Sequence, residues 1–337
     1  MRAPSFWWHD RISFLAHLLR PASAVYGTVA ARRMQRQGER ADLPVICIGN
    51  FTAGGAGKTP TALRIAEILE AAGESPVFLT RGYGGTLRGP LQVQPQHKAS
   101  DVGDEPILLA RRAPVIVSAD RSAGARLASE TGATVVIMDD GLQNPSLRKD
   151  CAIAVVDGAT GIGNGLPLPS GPLRAPMDAQ WPVVDAVLVV GQGGAGESLA
   201  RQASLLNKRV YRGSLAPDPA TAARLKGRKV LAFAGIGRPE KFFETLRACG
   251  AVVEEARAFA DHHPYTRSDL DDLHRAATAR HLHVVTTEKD LARIADLIEP
   301  AAWKDLTALP VRLQVDEEAS LRKFILRRIG ERRLRRP

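Results

Sequence analysis

The sequence predicts an α/β protein: a mostly parallel sheet flanked by helices, with a second, smaller α/β unit behind it and an amphipathic helix in front. Three observations carry that prediction. Pro44 to Thr61 (PVICIGNFTAGGAGKTPT) reads as an apolar strand, a glycine-rich loop and a helix start in direct succession. Further downstream, the apolar runs Thr134 to Met138 and Ala152 to Val156 each stop in aspartate, as strands of such a sheet do where ligands gather. Finally, after a Pro-, Ala- and Lys/Arg-rich stretch, Arg228 to Gly235 (RKVLAFAG) starts a new strand and helix pattern. With 337 residues and 45% hydrophobic composition, the chain can bury two such cores.

Residues 1–40 combine Phe6, Trp7 and Trp8 with Ile12, Phe14, Leu15, Leu18, Leu19, Val25, Tyr26 and Val29, and intersperse Arg11, Arg20, Arg32, Arg33 and Arg36. There is no uncharged apolar run of about 18 residues, so a spanning helix is not expected, nor is a signal-peptide cleavage pattern. Indole rings beside a basic amphipathic helix suit a lipid headgroup layer. A helix packed on the protein's own core would look the same, and both readings stay open.

Residues 41–205 are expected to form the main unit, of the P-loop NTPase type. Val45 to Ile48 is its first buried strand. The loop Thr52, Ala53, Gly54, Gly55, Ala56 and Gly57 would then turn N–H groups toward an anion at a helix start opened by Lys58, Thr59 and Pro60. Lys58 would reach the β- and γ-phosphates of a nucleotide, and the Thr59 hydroxyl would hold magnesium. A strict phosphate-loop pattern has glycine at the position of Thr52, and a glycine-rich turn without nucleotide is the competing reading.

Pro76 to Leu79 is a second strand, followed by a glycine-flanked Arg81 and Tyr83 that suit either a ligand-facing loop or a plain turn. Leu87 to Ala99 reads as an irregular connection. Asp104 and Glu105 precede the apolar run Ile107 to Leu109. They are read either as helix N-terminal carboxylates or as a proton acceptor and a magnesium ligand facing the loop. Val115 to Val117 is a strand ending at Asp120 and Arg121. The next strand ends in Asp139 and Asp140, carboxylates that would complete a magnesium shell opposite Lys58 and Thr59. Asn164 to Pro176 is too rich in Pro and Gly for a helix or central strand, and Arg174 is its one charge, either a phosphate contact or a solvated side chain.

Beyond a strand over Val183 to Val190 and a glycine-rich turn at Gly191 to Gly196, residues 206–225 are expected as a linker and 226–325 as the smaller α/β unit. Its strands are Arg228 to Gly235, Val252 to Glu255 and His283 to Thr286, with a helix from Phe242 to Cys249. Adjacent His262 and His263 do not have the spacing of a zinc pair; they suit helix capping or support of a catalytic carboxylate. Thr287 and Asp290 resemble a capping box opening a helix with Leu291, Ile294 and Leu297. The tail 326–337, with Arg322 and Lys323 just ahead of it, carries Arg327, Arg328, Arg332, Arg333, Arg335 and Arg336 and reads as a solvated face or an anionic-membrane contact.

A net charge of +10 implies a polyanionic partner. Aromatic content of 5% and no recognisable nucleic-acid module argue against DNA or RNA. Cys47, Cys151 and Cys249 are far apart and read as reduced core residues.

Taken in order, VICIGNFTAGGAGKTP, TRGYGG, VGDEPILLA, Asp120-Arg121, VIMDDGLQN, LPSGPLRAP, FADHHPYT and TTEKD resemble the tetraacyldisaccharide 4′-kinase family of lipid A biosynthesis. The resemblance implies phosphoryl transfer from ATP, with Mg2+, to the 4′-hydroxyl of an acylated glucosamine disaccharide 1-phosphate at the cytoplasmic face of the inner membrane. It implies Lys58 and Thr59 as nucleotide and magnesium ligands, with Asp139, Asp140 and Glu105 near the metal. Asp104 would be the general base, supported by His262. Arg81, Tyr83, Arg121, Gln143 and Arg174 would surround the lipid and its phosphate. Thr80 and Ala175 depart from the family pattern. A soluble kinase or ligase of a small metabolite is the rival reading.

Overall fold

The computed structural model describes residues 4–8, 11–299 and 303–335. Arg336 of the basic tail lies outside the described residues. Thirteen strands are found among them: β1 Val45–Gly49, β2 Pro76–Thr80, β3 Leu91–Gln92, β4 Val115–Val117, β5 Val135–Asp139, β6 Cys151–Asp157, β7 Ala186–Val190, β8 Arg209–Pro217, β9 Lys229–Ala234, β10 Val252–Ala258, β11 His283–Thr287, β12 Leu306–Leu309 and β13 Val311–Val315. Nine of them form one sheet in the order β13-β8-β7-β6-β1-β5-β2-β4-β3, and four form a second in the order β10-β9-β11-β12. Only the two edges of the large sheet, β13 on β8 and β3 on β4, pair antiparallel.

The central strands are apolar throughout because both faces are covered. Ile46 and Ile48 enter one core cluster with Ile65, Leu69, Phe78 and Ile137. Val45 and Cys47, one residue out of phase, enter the other with Leu79, Val136 and Met138. Period-two alternation thus divides each strand between two cores. The smaller sheet repeats the scheme around Phe233 and Leu231 on one face and Ala232 and Phe242 on the other.

Three expectations change. Residues 206–225 are not an irregular linker: β8 pairs along β7, and a helix Pro219–Leu225 follows, N-capped by Asp218. Arg209 and Arg212 flank Val210 and Tyr211 and leave an apolar run of only two residues, which hides this half-solvated strand from an apolar-run search. The turn expected at Gly191 to Gly196 already contains the start of the helix Gly194–Leu205. There Gly196 packs so close to Gly158 that a Cβ would lie 2.6 Å from its Cα, so packing rather than propensity places the glycine. The basic tail, finally, continues the helix Glu318–Leu334, which returns to the large sheet and buries Leu321, Ile325 and Ile329 in its core. Arg328 pairs with Asp185 at 3.0 Å, Arg333 with Glu74 at 2.7 Å, and Arg332 donates to the Ala41 carbonyl at 2.8 Å. Those three cations are committed to the fold.

At the other end, the helices Phe14–Leu18 and Arg20–Met34 are separated at Leu19, ahead of Pro21. One side of the second helix and the turn Ser5–Trp8 ahead of both pack on the Asn164 to Pro176 loop: Trp7 Nε1 donates to Pro169 O at 3.0 Å and Ser23 Oγ to Pro167 O at 2.7 Å. Gly27 permits this approach, since a Cβ would meet Pro176 Cγ at 3.2 Å. The opposite side exposes Phe14, Leu18, Val25 and Val29. Among the described residues no helix is long and apolar enough to cross a membrane.

Candidate active site

The sequence motifs converge where β1, β5 and β2 end. Gly57 sits at φ +91° and begins the helix Lys58–Glu70, a left-handed turn that glycine adopts without strain. Lys58 is buried; its Nζ donates to Asn50 Oδ1 at 3.4 Å and lies 3.8 Å from Asp140 Oδ1. Asn50 braces the loop by donating Nδ2 to Gly54 O at 3.1 Å. Gln143, expected near substrate, turns its amide inward, donating Nε2 to Asn50 O and to Gln180 Oε1, both at 2.8 Å. It positions Asn50, and through Asn50 the lysine. Ala53 N–H is taken by Pro172 O at 2.7 Å, the Thr52 carbonyl by Arg174 Nε at 3.1 Å, and Pro60 has no N–H. The run 54–59 is what remains to face an anion.

Four oxygen-bearing side chains surround this helix start. Thr59 Oγ1 donates to Glu105 Oε1 at 3.3 Å. Asp140, at φ +52°, accepts from Arg174 Nη1 at 2.7 Å. Burial alone would raise its pKa, but Lys58 and Arg174 outweigh that and lower it to about 2. Asp139 is 1% exposed, and neither of its carboxylate oxygens has a partner among the described residues. Burial and the adjacent charges of Glu105 and Asp140 push it up to about 7. Among the described residues no three His, Cys, Asp or Glu side chains already form a metal cage. The two unpartnered Asp139 oxygens fit an ion such as Mg2+, which takes most of its ligands from water and phosphate.

Asp104 opens the helix Asp104–Leu109 after Gly103, which stands at φ +98°. Its Oδ1 accepts the Glu105 N–H at 2.9 Å. Its Oδ2 is gripped by the fork of Arg293, with Nε at 2.8 Å and Nη2 closer still, and lies 3.5 Å from His262 Nδ1. The carboxylate is thus more than a local cap. Burial opposes its charge, but His262, Arg293 and Lys289 hold its pKa far below the usual carboxylate range. Lys289 Nζ donates to Glu105 Oε1 at 2.6 Å; burial works against that carboxylate's charge too, yet Lys289 and Lys58 lower its pKa.

His262 and His263 part company here. His262, at φ +55°, faces Asp104, and its ring meets that of Tyr83 edge-on at 5.0 Å. His263 points to Asp269 Oδ2 at 3.2 Å, within the capping box of the next helix, and packs on Phe259 and Tyr265. Tyr83 and Arg81 are exposed at the mouth. Arg121 is 3% exposed, donates Nη1 to Ser118 O at 2.5 Å and leaves Nε without a partner among the described residues. Burial lowers its pKa, while the negative charges of Asp139 and Asp140 pull it back up.

Sequence reasoning missed Arg293 and treated Lys289 only as part of a helix start. They stand four residues apart on the helix Glu288–Ile294, hence on one face, and that face meets Asp104 and Glu105. The spacing was readable; its target, 189 residues away from Arg293, was not. A second contact between the units joins Asp157 to Arg238 at 2.7 Å and to Lys241 at 3.2 Å. Beside it, Gly237 lies against the loop, where a Cβ would come within 3.2 Å of Gly55 N.

Comparison with known proteins bears on this arrangement. The chain is 57% identical over 325 residues to a Methylobacterium sp. (strain 4-46) protein named tetraacyldisaccharide 4′-kinase, covering 96% of each chain. A protein of the same name from Methylobacterium nodulans is 56% identical over 332 residues, covering 98% of this chain and 97% of its own. The fold is similar to that of LpxK from Aquifex aeolicus, solved in complex with ATP, with TM-score 0.72, 24% identity, and 94% of this chain and 100% of that one covered. A family model described as tetraacyldisaccharide-1-P 4′-kinase matches residues 15–330, and the chain belongs to that family.

Proposed function

We propose that the protein transfers the γ-phosphoryl group of ATP to the 4′-hydroxyl of an acylated glucosamine disaccharide 1-phosphate, the lipid A step for which its relatives are named. The observation that carries the proposal is Asp139: a wholly buried carboxylate beside the loop lysine, with both oxygens unpartnered among the described residues. Without a cation such a group keeps a proton, and a bound cation would favour its ionised form.

In this reading the backbone of 54–59 and Lys58 bind the triphosphate. Thr59, Asp139, Asp140 and Glu105 would hold Mg2+, which when bound neutralises charge on the phosphate oxygens. Asp104, ionised at neutral pH, orients the sugar hydroxyl and accepts its proton at Oδ1, the oxygen whose other bond is to the Glu105 N–H. His262 keeps the second oxygen turned inward. Arg174 and Arg121 lie beside the two strand-end acids, and Arg81 and Tyr83 stand at the mouth where a lipid phosphate would enter.

The exposed Phe14, Leu18, Val25 and Val29 give the protein a shallow apolar face suited to the cytoplasmic surface of the anionic inner membrane. Nucleic acid has no part in this reading. The test is transfer of labelled phosphate from ATP to detergent-dispersed tetraacyldisaccharide 1-phosphate, against unacylated sugars. Label on the 4′ position that requires Asp104 and Mg2+ is expected; equal turnover of small sugars, or transfer untouched by Asp104→Asn, would refute it.

A further inference from the structure

The base proposed above is held by a residue on a helix of the smaller unit. We infer that Arg293 is a positioning residue for phosphoryl transfer: its guanidinium fixes the plane of the Asp104 carboxylate. The inference rests on the reading of Asp104 as proton acceptor.

Arg293 grips one oxygen, Oδ2, through both Nε and Nη2, which sets the carboxylate's direction as well as its charge. The guanidinium is itself bonded on its far side. Nη1 donates to Gly235 O at 2.7 Å and to Asp290 Oδ1 at 2.8 Å. Asp290 is fully buried and accepts from Gly235 N–H at 3.0 Å, Tyr265 OH at 2.9 Å and Thr287 Oγ1 at 2.6 Å. A chain of bonds thus runs from Tyr265 through Asp290 and Arg293 to Asp104, with Tyr265, Asp290 and Asp104 buried and Arg293 nearly so. With Oδ2 held on this strut and Oδ1 on the Glu105 N–H, the remaining lone pair of Oδ1 has one direction. A displacement of about 1 Å at a reacting group can cost on the order of a hundredfold in rate.

A simpler role would be adhesion between the two units. Adhesion and positioning predict different losses, because the adhesive contact also seats Gly237 on the nucleotide loop. Lost adhesion should raise KM for ATP and be repaired by any cation at 293. Lost positioning should lower kcat at unchanged KM for ATP and be repaired only partly by lysine, which cannot fork.

The experiment uses the full chain with ATP and detergent-dispersed acylated disaccharide 1-phosphate. Arg293→Met is expected to lower kcat roughly a hundredfold and Arg293→Lys roughly tenfold, each with KM for ATP within about twofold of wild type. In an Asp104→Asn background Arg293→Met should add little further loss, because both act through one carboxylate. If Arg293→Met does not fold, Arg293→Lys and Tyr265→Phe carry the test, the latter loosening Asp290 and lowering kcat a few-fold. Wild-type kcat in the Arg293 variants, a loss confined to KM for ATP, or losses that multiply in the double variant would overturn the inference while a disabled Asp104→Asn left the base reading standing. Wild-type turnover of Asp104→Asn would remove the base reading, and this inference with it.

Discussion

Replacing Asp139 by asparagine should make the metal-free protein's stability less dependent on pH. In the folded chain this carboxylate is 1% exposed, unpartnered among the described residues, and raised from the ordinary 3.8 to about 7. The unfolded chain releases the proton near the ordinary value. Between the two values the folded state therefore holds a proton the unfolded state has lost, and stability falls as pH rises, with the full cost present above the folded value. About three units at 1.36 kcal/mol each is roughly 4 kcal/mol. Asparagine keeps the shape without the charge. Its own unpartnered amide costs about 1–3 kcal/mol at every pH, so the diagnostic is how the difference between variant and wild type changes with pH. Thermal unfolding in EDTA at pH 4 and pH 8 would read it. Relative to wild type, Asp139→Asn should gain roughly 4 kcal/mol between the two conditions, on the order of 8 °C at about 2 °C per kcal/mol. Mg2+ with ATP should raise the wild-type midpoint by more than the variant's, which keeps Lys58 and the other three proposed metal ligands. A gap that is the same at both pH values would refute the argument from burial.

Lys58→Ala should weaken nucleotide binding as well as turnover, measured by titration with a fluorescent ATP analogue; full affinity would detach the lysine from the phosphates. Val25→Asp with Val29→Asp, at two exposed positions, should leave the melting temperature unchanged and cut co-sedimentation with anionic vesicles several-fold. Undiminished sedimentation would assign that face another role. Gly237→Ala places a methyl 3.2 Å from Gly55 N, so KM for ATP should rise roughly fivefold, about 1 kcal/mol of overpacking. No change in steady-state KM would mean that the two loops separate when nucleotide binds.

How much of this was legible follows from burial. The central strands β1, β5 and β6 declare themselves because a strand covered on both faces reads as an unbroken apolar run, and the acids at 139 and 140 stand at the end of one. The edge strands β3, β12 and β13, and β8 next to the edge, are short or half-solvated and mix arginine or polar residues with apolar ones, so nothing local marks them. The loop lysine was visible in Gly57-Lys58-Thr59, whereas Asn50, which accepts from it, looks like an ordinary loop residue, and Gln143 was singled out as a substrate neighbour with no sign of its bonds to Asn50 and Gln180. Asp104 had two sequence readings, cap or base. Arg293 bears on that choice, and only the packing of the helix Glu288–Ile294 on the helix Asp104–Leu109 brings it near.

The chain leaves the large sheet along β8 and re-enters it along β13, and where it does so the Asp218 N–H bonds to the Pro310 carbonyl at 2.9 Å. The smaller sheet is therefore an insert whose two ends touch. A gene that joined Pro217 to Val311 through a tight turn would encode an uninterrupted nine-strand layer, while the excised piece could be ligated head to tail. The same topology imposes an order of synthesis: the layer lacks its last strand, and the helix bearing Ile325 and Ile329, until the whole insert has left the ribosome.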